Sequence, residues 1–488
     1  MSYECWEDAD NIQICTDCIG DEFLRKTILD TGQKGDCTYC KKSGTTVSLQ
    51  NLSKDIHQVI EDQFYLTSSD PDGLDYLLAK EGLWEREGEL VEYIISEISG
   101  LDEMISEDVR AALSGYYGYT AVKDGGEDPY AYDAQYEERG PDPDTLNFHD
   151  TWESFCQQVQ WRSRFFNQHA EIDLDNIFGD LESLKTHTGR PVICTITPED
   201  TNWSVYRARI AQSSSDLEKI LERPCRELDA PPSRLAQAGR MNAAGISVFY
   251  GGLEEDTCVA EVRAPVGSSV VVGRFKFIRE VTVLDLDALA GVYVNGSHFD
   301  PEFTERRARV AFLRHLAKTI SQPVMPNDEA FQYLPTQVVS EYLASRAKPP
   351  MDGMVFKSSQ TGGVGRNFVL FNHAATTDHI DAPDGTEFSV YMDDRPPDES
   401  DPIVGVFEKV PPEEPQVKKS TSDDMFSIPL PTVSFDVDDE QVWLSTREPT
   451  LRLELNSVYV LDIDSVQYAQ LKRPVLRSRT TKGEEKPF

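Results

Sequence analysis

Four of the nine cysteines in the chain form two closely spaced pairs near the amino terminus. Cys15 and Cys18 are the first pair, Cys37 and Cys40 are the second, and 18 residues separate the two pairs. Pairs of this type and spacing are typical of zinc ribbons, because each tight turn offers two thiolates to one ion. Four thiolates complete a tetrahedral zinc, so this metal would be structural. The alternative is a set of reduced cysteines in a small core. If a metal is bound, Cys5 is a spare that could replace one of the four ligands.

Polar side chains that could carry out catalysis occur in four short blocks beside strand-like sequence. The blocks are, in chain order, Val205 to Arg209, Gly239 to Tyr250, Asp256 to Val262 and Asp352 to Phe371. Side chains at strand ends often converge on one cleft at a sheet edge. In the first block, strand alternation places Arg207 on the face opposite Tyr206. In the third, the carboxylate of Glu261 interrupts a small and apolar helical run.

Taken in this order, the four blocks resemble the RES family, whose members degrade NAD and often act as bacterial toxins. The resemblance covers roughly Thr201 to Asn372, including the stretch Tyr333 to Gln337 before the last block. It implies an α+β fold with a mixed sheet, similar to that of ADP-ribosyltransferases, and NAD as a substrate. The residues that it implies are Arg207, Glu261 and Ser358 for catalysis and Tyr206, Arg240, Tyr250 and Asn367 for substrate binding. Ser359 is an alternative to its neighbour Ser358.

The implied reaction breaks the bond between nicotinamide and ribose, which leaves positive charge on the ribose ring, as in glycoside cleavage. A carboxylate beside that ring stabilises the transition state more than the ground state, and Glu261 would take this role. Arg207 and Arg240 would bind the pyrophosphate or an attacking phosphate through paired N–H groups. Tyr206 or Tyr250 would stack on the nicotinamide.

Ser358 precedes a glycine-rich turn that allows close backbone approach, so it would hydrogen-bond the nicotinamide amide or the ribose. We do not assign it as a nucleophile. Taken singly, Ser358 could be an ordinary turn residue, Glu261 a solvated helix residue and Arg207 a surface ion-pair partner. The joint occurrence of these residues in ordered blocks favours the functional interpretation.

Three functions are compatible with these residues. The first is an NAD phosphorylase, which uses inorganic phosphate to release nicotinamide and ADP-ribose-1''-phosphate, with water as an alternative acceptor. The second is an ADP-ribosyltransferase that modifies a macromolecule. The third is a zinc- and helix-based binding protein with an inactive RES-like domain. The resemblance favours the first, and a toxin of this kind would need a regulatory protein or an antitoxin as a partner.

The segment from Arg162 to His169 contains an R-x4-H motif, formed by Arg164 and His169, that resembles the ribonuclease motif of HEPN domains. An arginine and a histidine one helical turn apart could bind phosphate and exchange a proton with a ribose hydroxyl. Such pairs arise often by chance. We therefore prefer a helix that connects the amino-terminal unit to the NAD domain.

These side chains need a scaffold, and composition changes along the chain suggest its parts. Apolar residues at helical spacing, such as Ile56, Val59, Ile60 and Phe64, predict an all-helical unit. The expected organisation is a cysteine module over 1–45, a possibly HEPN-like helical domain over 50–170 with an acidic loop at 124–150, a RES domain over 190–470 with an acidic flexible insertion at 379–424, and a tail over 471–488.

Within the RES region, β-branched segments predict strands and capped runs predict helices. The predicted strands are Pro191 to Thr197, Ser204 to Ile210, Ile246 to Tyr250, Ser269 to Ile278, Val281 to Leu286, Val433 to Val437 and Val458 to Asp464. The predicted helices are Thr257 to Arg263 with Asp256 as its cap, Glu302 to Ile320 after Pro301, and Thr336 to Arg346.

The formal net charge of the chain is −38. A field of this sign repels nucleic acid and anionic membranes, so we do not expect either as a partner. The sequence has no apolar run of about 20 residues that could span a bilayer, and its first residues lack an export signal. These features predict a soluble, cytoplasmic protein.

Overall fold

The computed structural model describes residues 8–69, 86–139, 148–379, 382–383, 385–392, 404–412, 447–467 and 473. Its helices are α1 (Glu22–Thr31), α2 (Leu49–Gln63), α3 (Val91–Ser99), α4 (Glu103–Leu113), α5 (Tyr119–Lys123), α6 (Phe148–Trp161), α7 (Gln168–Phe178), α8 (Ser214–Glu222), α9 (Pro224–Glu227), α10 (Glu255–Val262), α11 (Leu286–Ala290), α12 (Pro301–Ser321), α13 (Glu329–Gln332) and α14 (Leu334–Ser345). Among these helices, none has the length and apolar character needed to cross a membrane.

The described strands complete an α+β fold, as expected from the sequence. They are β1 (Gln13–Cys15), β2 (Gln33–Asp36), β3 (Ser43–Ser48), β4 (Phe64–Leu66), β5 (Glu89–Leu90), β6 (Gln135–Glu138), β7 (Lys185–Thr186), β8 (Ile193–Ile196), β9 (Val205–Ala211), β10 (Phe249–Gly252), β11 (Ser269–Phe277), β12 (Val281–Asp285), β13 (Val292–Tyr293), β14 (Gly353–Lys357), β15 (Arg366–Leu370), β16 (Thr377–Asp378), β17 (Glu387–Met392), β18 (Val404–Lys409), β19 (Leu451–Leu453) and β20 (Tyr459–Asp462).

The chain divides into two compact units, and both are discontinuous in sequence. The first unit contains Met1–Cys194 and Leu284–Pro350, and the second contains Thr195–Val283 and Met351–Phe488. The second unit holds every residue that the sequence assigns to the NAD site. The domain boundaries expected from the sequence stay predictions.

In the first unit, the cysteine-rich strands and the helices that follow share one hydrophobic core. Strands β1, β3 and β2 form an antiparallel sheet in that order. Ile14 from this sheet, Leu24 from α1 and Ile56 from α2 are buried in the same cluster as Ile95 and Ile105 of α3 and α4. The cysteine module therefore packs against the helices through buried aliphatic side chains.

The acidic stretch 124–150, expected to be a solvated loop, contains ordered structure in its described residues. Strand β6 lies between β4 and β5 in a three-stranded antiparallel sheet. Tyr130 and Tyr136 are buried, and the Tyr130 hydroxyl lies 2.6 Å from Nδ1 of His57. The loop prediction was wrong here because two buried tyrosines outweigh the acidic composition of the segment.

The R-x4-H motif does not lie on one helix. Helix α6 ends at Trp161 and α7 begins at Gln168, so Arg164 lies in the connection and His169 in the first turn of the next helix. The Arg164 Nε donates to the carbonyl of Val159, 3.2 Å away, at the end of α6. The connecting helix preferred from the sequence is therefore interrupted between Trp161 and Gln168, and Arg164 and His169 do not share a helical face.

A half-buried histidine is expected to make the stability of the first unit depend on pH. Burial, and secondarily the charge of Arg307, lower the pKa of His298 to about 4, and its Nδ1 lies 2.7 Å from Oε1 of Gln63. The unfolded chain, with an ordinary histidine pKa, binds a proton that the folded chain does not between about pH 6.5 and pH 4. The free energy of unfolding therefore falls as the pH falls through this window.

We expect His298→Asn, which keeps a donor close to the position of Nδ1, to lose less stability than the parent protein between pH 7.5 and pH 5. Urea unfolding at both pH values measures this difference. Other groups titrate equally in the two proteins, so their effects cancel. Equal losses in parent and variant would show that His298 is solvated or charged in the folded protein.

The second unit is built on a large mixed sheet with the strand order β16-β19-β11-β9-β10-β15-β14-β12-β8, and β20 also pairs with β11. β9, β10, β11, β14 and β15 pair in antiparallel fashion, whereas β16 pairs with β19 in parallel. β11 has the sequence SVVVGRFKF, whose β-branched and aromatic residues favour a central strand. Phe249, Phe275 and Phe368 are fully buried on one face of this sheet.

Two elements of the second unit, β10 and α10, do not begin where the sequence predicted. β10 begins at Phe249 rather than at Ile246, and α10 begins at Glu255 after Glu254 as its N-cap, so Asp256 lies inside the helix. The acidic insertion contains a β-hairpin in its described residues, formed by β17 and β18. The predicted strand Val433 to Val437 and, except for Arg473, the tail 471–488 lie outside the described residues.

Candidate active site

Glu261, Ser358 and Asn367 form a hydrogen-bonded cluster in the second unit. The Ser358 hydroxyl donates to Oε1 of Glu261 at 2.6 Å, and Nδ2 of Asn367 donates to the same oxygen at 2.7 Å. Ser358 is fully buried and Asn367 is 8% exposed, whereas Glu261 remains partly accessible. Among the described residues, Oε2 of Glu261 accepts no hydrogen bond. The cluster therefore fixes one carboxylate oxygen and leaves the other for a ligand.

Three strands and one helix bring this cluster together. Ser358 follows β14 directly, and its N–H donates to the Gly365 carbonyl, which closes the loop between β14 and β15. Asn367 lies in β15, and Glu261 lies in α10, which packs on β9, β10 and β15. Gly252 of β10 allows the helix to come close, because a Cβ there would lie 2.8 Å from the Cys258 backbone nitrogen. The glycine thus sets the distance between helix and sheet.

Tyr206 and Arg207 lie on opposite faces of the sheet, as strand alternation predicts. Tyr206 is paired with Gly252, which is paired with Asn367, so these three positions share one face. Arg207 points to the other face, where its Cζ lies 4.7 Å from the centroid of the Phe249 ring. Its Nη1 donates to the Tyr250 carbonyl at 2.8 Å. The described contacts do not bring Arg207 to the Glu261 cluster.

Arg207 remains protonated although its guanidinium is partly removed from water. Burial lowers the pKa of its guanidinium, whereas the charge of Asp229 raises it. An arginine has so high an intrinsic pKa that it stays protonated at neutral pH. On the helix, burial raises the pKa of the Cys258 thiol to about 12, so this cysteine is neutral and is not an activated nucleophile.

A second polar group organises the loop that carries Arg240. The Tyr250 hydroxyl donates to Oδ1 of Asn242 and accepts from the Met241 N–H, both at 3.0 Å. Gly239 is required beside it, because a Cβ there would lie 2.8 Å from the Tyr250 hydroxyl. These contacts hold the turn around Arg240 against β10. Asn242 was not singled out from the sequence, although it lies in the second block.

The sequence-derived residues thus fall into two groups. One contains Glu261, Ser358 and Asn367 in direct contact, and the other connects Arg207 and the Arg240 loop through Tyr250. Ser359, the alternative to Ser358, is exposed. Sequence reasoning missed Glu254, which hydrogen-bonds the start of β15. Its position just before a helix could have identified Glu254 as the N-cap, but the sequence pattern led us to assign the cap to Asp256.

The four paired cysteines meet at one point in the first unit. The Sγ atoms of Cys15 and Cys40 are 3.4 Å apart, those of Cys15 and Cys18 3.7 Å, and those of Cys18 and Cys37 3.9 Å. All four sulfurs lie within 4.8 Å of one another, close enough to hold a metal ion. A tetrahedral ion with bonds of about 2.3 Å to sulfur separates the sulfurs by about 3.8 Å, so the arrangement fits. Cys5 lies outside the described residues.

Comparison with known proteins assigns a family to part of the chain. Residues 204–392 match the family model of the RES domain. Searches of the curated proteins and of the solved structures found no match. The family match does not extend to the amino-terminal region, so its zinc-ribbon and HEPN-like interpretations stay predictions. The segment 204–392, which contains every residue assigned to the NAD site from the sequence, is therefore the part of the chain that matches the RES domain.

Proposed function

We propose that the RES domain cleaves the bond between nicotinamide and ribose in NAD, with Glu261 as the catalytic carboxylate. The observation that carries this proposal is the pair of hydrogen bonds from Ser358 and Asn367 to Oε1 of Glu261. These bonds fix the orientation of the carboxylate before the substrate arrives. A preorganised charge stabilises a transition state without reorganisation during the reaction.

Departure of nicotinamide takes the electron pair of the C–N bond and leaves an oxocarbenium-like ribose. In our proposal, Oε2 of Glu261 accepts a hydrogen bond from a ribose hydroxyl and places negative charge beside this cation. The interaction strengthens as positive charge develops, so it raises the turnover number more than the affinity for NAD. Ser358 and Asn367 act through Glu261, and Ser358 is not a nucleophile in this mechanism.

The remaining residues are assigned to substrate binding. A guanidinium binds phosphate through two parallel hydrogen bonds, so Arg240 is the proposed ligand of the pyrophosphate or of an attacking phosphate. Arg207, whose guanidinium lies on the other face of the sheet, would instead support the site by holding the Tyr250 carbonyl. Tyr206 lies on the face of the sheet that carries Asn367, and Tyr250 is fixed against the Arg240 loop. One of these rings would stack on the nicotinamide.

We propose inorganic phosphate as the acceptor, which makes the enzyme an NAD phosphorylase. A phosphate oxygen then forms a new bond to the ribose carbon that nicotinamide leaves, and the product is ADP-ribose-1''-phosphate. The RES family and the guanidinium of Arg240 support this choice. The cysteine cluster would hold a zinc ion that stabilises the first unit, and the first unit would regulate the RES domain.

Incubation of the purified full chain with NAD, with and without inorganic phosphate, tests the reaction. We expect nicotinamide release that depends on phosphate, with the phosphorylated ADP-ribose identified by mass spectrometry. Free ADP-ribose in both reactions would show that the enzyme uses water rather than phosphate as the acceptor. A mass increase of an added protein or nucleic acid would indicate ADP-ribosyl transfer. Intact NAD under all these conditions would contradict the proposal.

A further inference from the structure

Three side chains along one face of α10 contact the segment that carries Ser358 and Asn367. Glu254, Thr257 and Glu261 are spaced by three and four residues, so they lie on the same side of the helix and its N-terminal end. Glu261 bonds Ser358 and Asn367, as described above. Thr257 lies against Gly365 and Glu254 contacts Arg366, at the end of the same loop. These three side chains therefore contact the loop both at its start, at Ser358, and at its end, at Gly365 and Arg366.

Glu254 makes three hydrogen bonds through its carboxylate. Oε2 accepts from the backbone N–H of Arg366 at 2.7 Å and from the Thr257 hydroxyl at 3.2 Å. Oε1 accepts from Nε of Arg366 at 3.0 Å. The N–H of Leu253, the preceding residue, donates to the Arg366 carbonyl at 2.9 Å. Backbone and side chain together thus join the start of α10 to the start of β15.

Steric contact at Gly365 reinforces this junction. A Cβ at this position would lie 1.8 Å from Oγ1 of Thr257, so no side chain can be accommodated without displacing the loop. The Gly365 N–H also donates to the Thr361 hydroxyl at 2.9 Å. The loop therefore has little freedom to shift along the helix while the Glu254 contacts persist.

We propose that Glu254 is a positioning residue, which fixes the loop against α10 so that Ser358 and Asn367 meet Glu261. Asn367 follows Arg366 directly, and the Ser358 N–H bonds the carbonyl of Gly365, so a shift at the Glu254 contacts moves both hydrogen-bond donors. The Glu254–Arg366 ion pair is about 40% exposed, and exposed ion pairs contribute little. The bond from the Arg366 backbone N–H is therefore the decisive contact. This inference rests on the proposed NAD cleavage.

Kinetics of nicotinamide release test the inference. We expect Glu254→Ala to lower the turnover number about 10- to 100-fold and to leave the KM for NAD within about threefold, because small misplacements of catalytic groups have effects of this size. Glu254→Gln keeps an oxygen for the Arg366 N–H, and we expect it to restore most of the turnover. Asp256→Ala is the matched control, since it removes an exposed carboxylate from the same helical turn.

Hydrogen exchange measured by mass spectrometry separates the failure of this inference from the failure of the proposed function. We expect Glu254→Ala, but not Asp256→Ala, to speed amide exchange in the peptide from Ser358 to Asn367, whatever the substrate of the enzyme. Unchanged exchange would overturn the inference even if NAD is cleaved. Faster exchange with unchanged turnover would also overturn it, and so would equal loss of turnover in Glu254→Gln and Glu254→Ala.

Discussion

Replacing Glu261 by glutamine is expected to lower the turnover number for nicotinamide release by about 10²- to 10³-fold, the range measured when one preorganised electrostatic group is removed. Glutamine keeps the size of the side chain, and its oxygen can still accept from Ser358 and Asn367. The variant therefore loses the negative charge beside the ribose while the cluster keeps its shape. Because this charge matters most in the transition state, the KM for NAD should change by less than about threefold.

Steady-state kinetics of nicotinamide release, with Asp256→Asn as the control, measure this effect. Asp256 is an exposed carboxylate on the same helix, and its replacement changes the net charge by the same amount. Equal losses in turnover and in affinity would show that Glu261 only binds the substrate. Full activity of Glu261→Gln would remove the carboxylate from the mechanism and contradict the proposed site.

The sequence predicted the face of each site residue better than the contacts between them. Alternation in β9 placed Tyr206 and Arg207 on opposite faces, and the strand register agrees. The contact between Glu261 and Ser358 joins residues 97 positions apart. Such a contact depends on how α10 lies on the sheet, which the glycine at 252 permits but local periodicity does not specify. Only the family resemblance indicated that these residues belong together.

The fold could be predicted where one local signal dominates. Strand β11 and helix α12 were expected almost in full, because a β-branched run and a proline at the first helical position leave few alternatives. The cap of α10 was misplaced by two residues, since Glu254, Glu255 and Asp256 offer three neighbouring carboxylates. In the structure Glu254 precedes the first helical residue, and its carboxylate accepts from Arg366, far away in sequence, a contact that local sequence does not reveal.

Composition misled the interpretation of the acidic segments for a different reason. A low content of apolar residues predicts solvated loops, but a few aromatic side chains suffice to anchor a short strand. Tyr130 and Tyr136 do so in the first unit. The hairpin of β17 and β18 in the acidic insertion also forms although glutamates occupy both strands, because backbone pairing extends over the whole of both strands.

Removal of the metal that we propose at the four cysteines should produce the largest change in stability. Cys15 is buried on β1, and the same small sheet contributes Ile14 to the core that extends through α2, α3 and α4. Loss of the ion therefore loosens the sheet and exposes part of that core. Structural zinc contributes roughly 10 kcal/mol to the stability of small zinc fingers. We expect about a third of this contribution here, which corresponds to a fall of about 10 °C in melting temperature.

Cys40→Ser tests this expectation most cleanly, because Cys40 is partly exposed and its replacement costs little packing. We expect this variant to contain less than one equivalent of zinc by mass spectrometry of the metal and to melt about 10 °C lower. Cys156→Ser is the control, since burial raises the pKa of the Cys156 thiol to about 12 and keeps it protonated. A purified parent protein without bound metal, or equal melting temperatures with and without a chelator, would identify the cluster as four reduced thiols. A fall in melting temperature confined to Cys40→Ser and to the chelated parent protein would instead make the ion part of the fold, because the free energy of metal binding then contributes to folding.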